Sequence, residues 1–380
     1  MNNIPPLDLT RQYQQIDSEV STQVLEILRS GRYIGGAAVS HFEQVFAQYT
    51  GTEYSVGCNS GTDALYLALR VLNIGTGDEV ITSPFTFIAT AEVISLLGAK
   101  PVFVDIDPES YNLDVSQLEA AITERTKAII PVHLFGRPVV MDALMAIAQR
   151  HNLPVIEDCA QATGAEWQGQ KVGSIGHLGC FSFFPTKNLG ACGDGGAITT
   201  NNPDLAAQLR MLREHGSKER YIHELIGVNS RLDALQAAIL TIKLSHLDQW
   251  NEGRSQVAQR YHKLLSPLDT IALPSSPDQG KAVWNQYSIR ILAGERDNIR
   301  AKLAEQGIST MIYYPIPLHQ QPVYQHLNHP PGSFPHSEQV ARQILALPMF
   351  PELSPSEQER VVDALSAMLP REKNRVAGRL

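Results

Sequence analysis

The 380-residue chain is poor in several things, and each shortage removes a class of function. It has only four cysteines, Cys58, Cys159, Cys180 and Cys192, and no two of them form a C-x-x-C pair. A zinc site and a disulfide framework are therefore not expected, and a reducing cytoplasm suits the chain best. Positive charge is not in excess. Lys and Arg number 31 against 39 Asp and Glu, for a net charge of −8, and the basic residues are scattered. That argues against a nucleic-acid groove and against an anionic membrane surface. No uncharged apolar run approaches the roughly 20 residues that cross a bilayer. The opening "MNNIPPLDLTRQYQQ" lacks the charged start and apolar stretch of a secretory signal. Glycine-rich pieces such as "GGAAVS" and "GHLGC" do not have the G-x-G-x-x-G spacing of a dinucleotide-binding turn.

What is present is a rhythm. Between about residue 50 and residue 200, short β-rich runs alternate with helical patterns. "EVITS" precedes a helix around Thr90–Leu97, and "PVFVDI" one around Ser116–Ile122. "KAIIPVHLF" precedes a helix around Asp142–Arg150, and "LPVIED" follows. Near-continuous apolar strands in βαβ units predict an α/β fold, a mainly parallel sheet flanked by helices. From Asn201 the pattern turns helical, and "RLDALQAAILTIKLSHLDQWNEGRSQVAQRYHKLL" reads as one or two long helices. Beyond Leu268, β-like runs ("WNQYSIRIL", "ISTMIYY") mix with helices ("RDNIRAKLAEQ", "SPSEQERVVDALSAML"). The expected division is a large α/β domain over residues 1–250, a smaller α+β domain over 251–370 and a flexible basic tail over 371–380.

Three stretches carry polar groups to strand ends, where α/β sheets gather their chemistry. In "CNSGTDALYLALRVL", Gly61 and Thr62 stand where a helix begins, and free N–H groups there suit a phosphate. Capping of the helix by Ser60 or Thr62 is the plainer alternative. In "VIEDCAQATGA", Asp158 ends an apolar strand and suits a protonated ring nitrogen, while Gln161 suits a neighbouring oxygen. A helix cap at that turn is the alternative for Asp158. In "SFFPTKNLGACGDGGA", Ser182 offers a hydroxyl and Lys187 an amine among Phe183, Phe184 and Leu189.

A free lysine, with a pKa of about 10.4, is protonated at neutral pH and is no nucleophile. Apolar surroundings disfavour its charged form, which is what Schiff-base chemistry requires. A lysine that snorkels to solvent is the alternative. Gly190, Gly193, Gly195 and Gly196 are expected to let the backbone approach a ligand. Taken together these groups are the contacts that pyridoxal 5′-phosphate needs, with Phe87 in "SPFTFIAT" as a flat face for its ring.

Those motifs, with "FEQVFAQYTG", "PVFVDIDPESYNLD" and "GVNSRLDALQAAIL", make the chain resemble the fold-type-I aminotransferases of the DegT/DnrJ/StrS group, which aminate nucleotide-linked keto-sugars. The resemblance spans nearly the whole chain. It implies a Schiff base at Lys187, ring-nitrogen binding by Asp158, phenolic-oxygen binding by Gln161 and phosphate binding by Gly61, Thr62 and Ser182, with Phe87 stacking. It also implies a homodimer with shared sites, in which Asn229 reaches the neighbouring subunit's phosphate and Arg231 points into the same site. Tyr314 and His319 match the segment lining the sugar pocket, with simple packing as the alternative. L-glutamate is the donor that the resemblance implies. "PTKNLGACGDGGA" resembles the branch that acts on dTDP-3-keto-6-deoxyhexoses; a 4-keto sugar or a keto-inositol is the nearest alternative, and a non-catalytic regulatory homologue is a more distant one. The dehydratase branch, in which histidine replaces the lysine, does not match.

Overall fold

The computed structural model describes residues 3–293 and 295–369; the tail 371–380 lies outside the described residues. The βαβ rhythm forms one curtain of strands. Lys100–Phe103, Glu79–Thr82 and Thr126–Ile129 run parallel in that spatial order. Parallel bridges from Ile129 to Val155 and from Val132 to Asp158 carry the sheet on to Ile156–Asp158, which pairs in parallel with Leu178–Ser182. Val80, Ile81, Ala128, Ile129 and Ile156 are fully buried, as strands covered on both faces must be.

The last two strands depart from the parallel pattern. Gly196–Thr200 is antiparallel to Leu178–Ser182, and Tyr54–Cys58 is antiparallel to Gly196–Thr200. The physical reason is the connection. Parallel neighbours need a crossover of a dozen or more residues, usually a helix. The segment after Ser182 contains no helix, only the loop that carries Lys187, so the chain turns back beside the strand it has just left.

Most expected elements form. Ala89–Leu96 and Met141–Arg150 are α-helices. The region expected to be helical around Ser116–Ile122 is instead two short 3₁₀ turns, Val115–Gln117 and Glu119–Ala121. These turns follow a bridged excursion in which Ile106 pairs with Leu113, and Asp114 caps the first of them by accepting from the Ser116 N–H.

The long helical pattern is a single helix, Ala234–Leu265, of 32 residues. It runs through the expected division at residue 250 without a break. Its first half packs against the helices Leu9–Ser30 and Gly36–Thr50, and Val257, Tyr261 and Leu265 belong to a second core. That core is built on the antiparallel strands Ile271–Ala272, Tyr287–Ile291 and Ile344–Leu347 and covered by the helices Arg296–Glu305 and Pro355–Met368. "ISTMIYY" forms no strand and contributes only isolated bridges, from Ile308 to Ile4 and from Met311 to Ala346. Ile4 also packs into this second core and bridges Ile308, while the helix Leu9–Ser30 that follows packs on the first half of the long helix.

One aromatic cluster anchors the loop bearing Lys187. Phe183 meets Phe42 and Phe46 edge-on, at 5.4 and 5.3 Å between ring centres. Phe181 meets Phe46 in the same way at 5.0 Å. Edge-to-face contacts of this kind add to burial and fix ring direction.

Candidate active site

All the parallel strands end at the same edge of the sheet, and the polar groups singled out above collect there. Asp158 is the last residue of its strand and is buried, at 4% exposure. Its Oδ2 accepts from Thr90 Oγ1 at 2.8 Å, and its Oδ1 from the Ala160 N–H at 3.1 Å. Burial pushes its carboxyl up, while these two donors and the Lys187 ammonium pull it back toward the ionised form.

Lys187 feels Asp158 in return. Dense packing around the amine lowers its ammonium to about 8, and attraction to Asp158 acts against that fall. The residue as a whole is half-buried, while its amine is strongly desolvated. This is the combination a nucleophilic lysine requires, and the snorkelling alternative leaves the depressed ammonium unexplained.

Gln161 is oriented by the backbone. Its Oε1 accepts from the Phe135 N–H at 2.7 Å, so its Nε2 faces outward, 3.2 Å from the hydroxyl of Tyr314. Tyr314 in turn lies 6.3 Å, ring to ring, from Phe87, an aromatic that is 56% exposed. Burial holds the Tyr314 hydroxyl in its neutral form.

The phosphate residues also meet. Ser60 caps the helix Gly61–Val71, its side chain accepting from the Asp63 N–H at 3.1 Å. Gly61 and Thr62 are then the first residues of that helix, whose N–H groups have no carbonyl one turn back. The capping alternative therefore holds for Ser60, and it leaves the N–H groups at the helix start free for an anion. Ser182 lies directly against Gly61. A Cβ on Gly61 would come within 2.5 Å of the Ser182 Cβ, so only glycine fits there.

The glycines after Lys187 do something other than expected. A Cβ on Gly190 would lie 2.3 Å from the Pro185 carbonyl oxygen, and one on Gly196 would lie 2.3 Å from that of Ser60. They let the loop fold tightly against the chain's own backbone, and so set its shape.

Three residues stand apart from this group. Asn229 is exposed. Next to it, Ser230 donates to Asn59 Oδ1 at 3.2 Å, which ties the segment to the start of the phosphate turn. The Nε of Arg231 is buried with no hydrogen-bond partner. His319 is 2% exposed, its Nε2 paired with Glu338 at 3.2 Å and its ring packed on Phe334 at 4.8 Å. Burial lowers its imidazole pKa. The packing alternative describes His319 as it stands here, because little of it is left to line an open pocket.

The sequence reading missed two contributors. Thr90 holds Asp158 from the first turn of a neighbouring helix, and Thr86 lies 3.0 Å behind it. Only the position of Thr90 at a helix start, in "FTFIATAE", hinted at this. The second is Glu157, which faces the opposite side of the sheet from Asp158. Its two oxygens accept from His133 Nε2 and from the N–H groups of Gly173, Ile175 and Gly176. His133 Nδ1 accepts from the Val139 N–H. His133, Glu157 and Cys159 are close enough together for a metal, but these bonds use the lone pairs that a metal would need.

The cluster thus offers an amine with a lowered pKa, a buried carboxylate, an outward amide N–H, an exposed aromatic ring and a helix start backed by a serine hydroxyl. These groups are of the kinds that pyridoxal 5′-phosphate takes from a protein, and the close approach of Ser182 to Gly61 brings a hydroxyl-bearing residue to the start of the helix.

Comparison with known proteins decides the family. The profile of the DegT/DnrJ/EryC1/StrS aminotransferase family matches residues 14–366. The chain belongs to that family. It is an aminotransferase dependent on pyridoxal 5′-phosphate. A dTDP-3-amino-3,4,6-trideoxy-alpha-D-glucose transaminase of Streptomyces venezuelae is 46% identical to it, over 95% of each chain. A Geobacillus stearothermophilus protein called a pleiotropic regulatory protein is 50% identical, over 96% of this chain and 98% of that one. Among solved structures, S. venezuelae DesV in complex with a ketimine intermediate superposes on the aminotransferase with a TM-score of 0.95 at 45% identity, covering 98% of this chain and 100% of that one.

Proposed function

We propose that this aminotransferase moves an amino group from L-glutamate to C3 of a nucleotide-linked keto-sugar, a dTDP-3-keto-6-deoxyhexose in the first instance. The observation that carries the reading is the pairing of Lys187, lowered to about 8, with buried Asp158 in a chain so similar to a dTDP-sugar transaminase. When bound, the cofactor supplies an electron sink for the carbon that loses its proton.

The chain's own residues do the rest. Gly61, Thr62 and Ser182 bind the phosphate through N–H and hydroxyl donors. Asp158, kept ionised by Thr90 and the Ala160 N–H, holds a proton on the ring nitrogen. Gln161 donates Nε2–H to the phenolic oxygen, and Phe87 covers one ring face. The Lys187 amine, neutral in a large fraction near pH 8, takes the proton from the donor's α-carbon and returns it one atom away as general base and then general acid.

The same reading makes the working unit a cytoplasmic homodimer in which Asn229 and Arg231 serve the neighbouring subunit's site, with Asn229 on the phosphate. The exposed apolar side chains Tyr221, at 80%, and Ile226, at 83%, close to Asn229 in sequence, are consistent with a covered segment there. Tyr314 would border the sugar, and His319 would act behind it through Glu338.

Visible absorbance before and after L-glutamate, with no sugar present, tests the first half of the reaction. Bleaching of the yellow band is the expected result, and a band indifferent to glutamate would refute the donor. Side-by-side assays with dTDP-linked 3-keto and 4-keto sugars then separate the two acceptors by the position of the new amine. The regulatory reading draws on the name of the Geobacillus relative. Turnover that disappears with Lys187→Ala while cofactor-free folding persists would leave that reading without support.

A further inference from the structure

We propose that Asn188, Asn251 and Asn285 form a buried positioning relay that sets the direction of the Lys187 amine. The inference deepens the proposed function, since it assigns residues that the reaction needs but that touch neither cofactor nor substrate.

The three amides are 3%, 2% and 5% exposed. Asn188 follows Lys187 directly. Its Nδ2 donates to Asn251 Oδ1 at 2.7 Å and to the Val283 carbonyl at 2.8 Å. Its Oδ1 accepts from Asn285 Nδ2 at 2.8 Å, and that same Nδ2 lies 3.4 Å from the Thr186 carbonyl on the other side of Lys187. Both residues flanking the lysine are therefore held by the same group.

The relay continues in two directions. Asn251 Nδ2 donates to the Thr163 carbonyl at 3.1 Å, in the segment just after Gln161. The Asn285 N–H donates to the Phe135 carbonyl at 2.9 Å, and the Phe135 N–H is the one that orients Gln161. Asn251 belongs to the long helix Ala234–Leu265, and Asn285 precedes the strand Tyr287–Ile291 of the smaller lobe. Two cations on the helix reinforce the arrangement. Lys243 Nζ donates to the Gly190 carbonyl at 2.7 Å, and Arg254 Nη1 donates to the Asn285 carbonyl at 3.2 Å.

Three amides in series, buried away from any cleft, are costly to place unless every bond is made. Plain packing would be served as well by leucine. What the amides add is direction: Asn188 and Asn251 each accept through Oδ1 and donate through Nδ2, while Asn285, whose Oδ1 is buried without a partner, donates through Nδ2 to Asn188 and toward the Thr186 carbonyl. Lys187 has to deliver a proton to two neighbouring atoms, and an error of about an ångström in such a geometry can cost on the order of a hundredfold in rate.

The experiment compares the wild-type chain with Asn251→Leu, which removes both bonds of the amide at the helix end of the relay and keeps the branching of its side chain. Each protein is freed of cofactor and mixed with pyridoxal 5′-phosphate. Covalent attachment is followed by visible absorbance and by intact mass after borohydride reduction. Asn251→Leu is expected to slow attachment and the glutamate half-reaction about tenfold each, with KM for the keto-sugar within about twofold. Should that variant not fold, Asn285→Ser, which removes only the donor to Asn188 and Thr186, carries the same expectation.

A folded variant that attaches cofactor at the wild-type rate would overturn the relay. So would slow attachment accompanied by an equal rise in KM, which marks general loosening of the site. A wild-type chain that takes up no cofactor would overturn the proposed function itself, and with it the relay's role.

Discussion

Thr90 Oγ1 donates to Asp158 Oδ2 at 2.8 Å, and with its one proton committed there it can only accept from Thr86, 3.0 Å away. The direction of this short chain follows from counting protons. It places a hydroxyl dipole against the carboxylate that has to stay ionised in a buried site. Thr90→Val keeps the shape and removes the dipole. Hydrogen bonds to charged groups are worth about 1.5–3 kcal/mol. The variant is expected to bind pyridoxal 5′-phosphate more weakly by about that amount and to lose roughly tenfold or more in kcat, checked by cofactor titration and steady-state assay.

Lys187 sets a pH dependence in the cofactor-free protein. Its ammonium is lowered to about 8 from an ordinary 10.5, so the neutral amine accumulates from below pH 8 upward. Covalent uptake of pyridoxal 5′-phosphate should accelerate between about pH 7 and 9, with a midpoint near 8. Between 8 and 10.5 the unfolded chain binds this proton more readily than the folded one, so stability gained from this group rises with pH across that window. Chemical denaturation of wild type and Lys187→Met at pH 7.5 and 9.5 reads the difference. The penalty of the buried charge should be larger at the lower pH and absent in the variant.

Gly61→Ala places a methyl 2.5 Å from the Ser182 Cβ and 3.0 Å from its Cα. Overpacking of this kind costs typically 1–3 kcal/mol, about that range being expected here in thermal or urea denaturation. Cofactor affinity should fall further than stability does, because the shift falls on the helix start proposed to bind the phosphate. Equal affinity in wild type and variant would show that the phosphate sits elsewhere.

Glu157 is a structural anchor, not a metal ligand. Its oxygens accept from His133 and from three backbone N–H groups. Glu157→Ala leaves those donors buried and unpaired, and a loss of about 3–5 kcal/mol is expected. Wild-type turnover should be indifferent to a chelator such as EDTA. A chelator-sensitive enzyme, restored by added zinc, would overturn this assignment.

Much of the site was legible before folding because it lies where local patterns change. Asp158 ends an apolar run, Gly61 opens a helical period, and Lys187 interrupts an aromatic stretch, each a break in a pattern. The α/β architecture followed from strand and helix alternation in the same way. What could not be read was distance. Nothing local in Thr90, Asn251 or Asn285 marks them as partners of residues 68, 63 and 97 positions away. The helix expected near Ser116 is two 3₁₀ turns instead, following a bridge between Ile106 and Leu113 that no local pattern announces.

The chain's chemistry was set by residue type and spacing. An amine beside aromatics, a carboxylate at a strand end and a glycine at a helix start are local properties, and local order decides them. The tertiary structure alone decided how those groups are held: the antiparallel return of Gly196–Thr200, the single helix that joins both lobes, and the amides that brace Lys187. Desolvation and hydrogen-bond direction depend on what lies across the fold, and that is determined only when segments distant in sequence pack together.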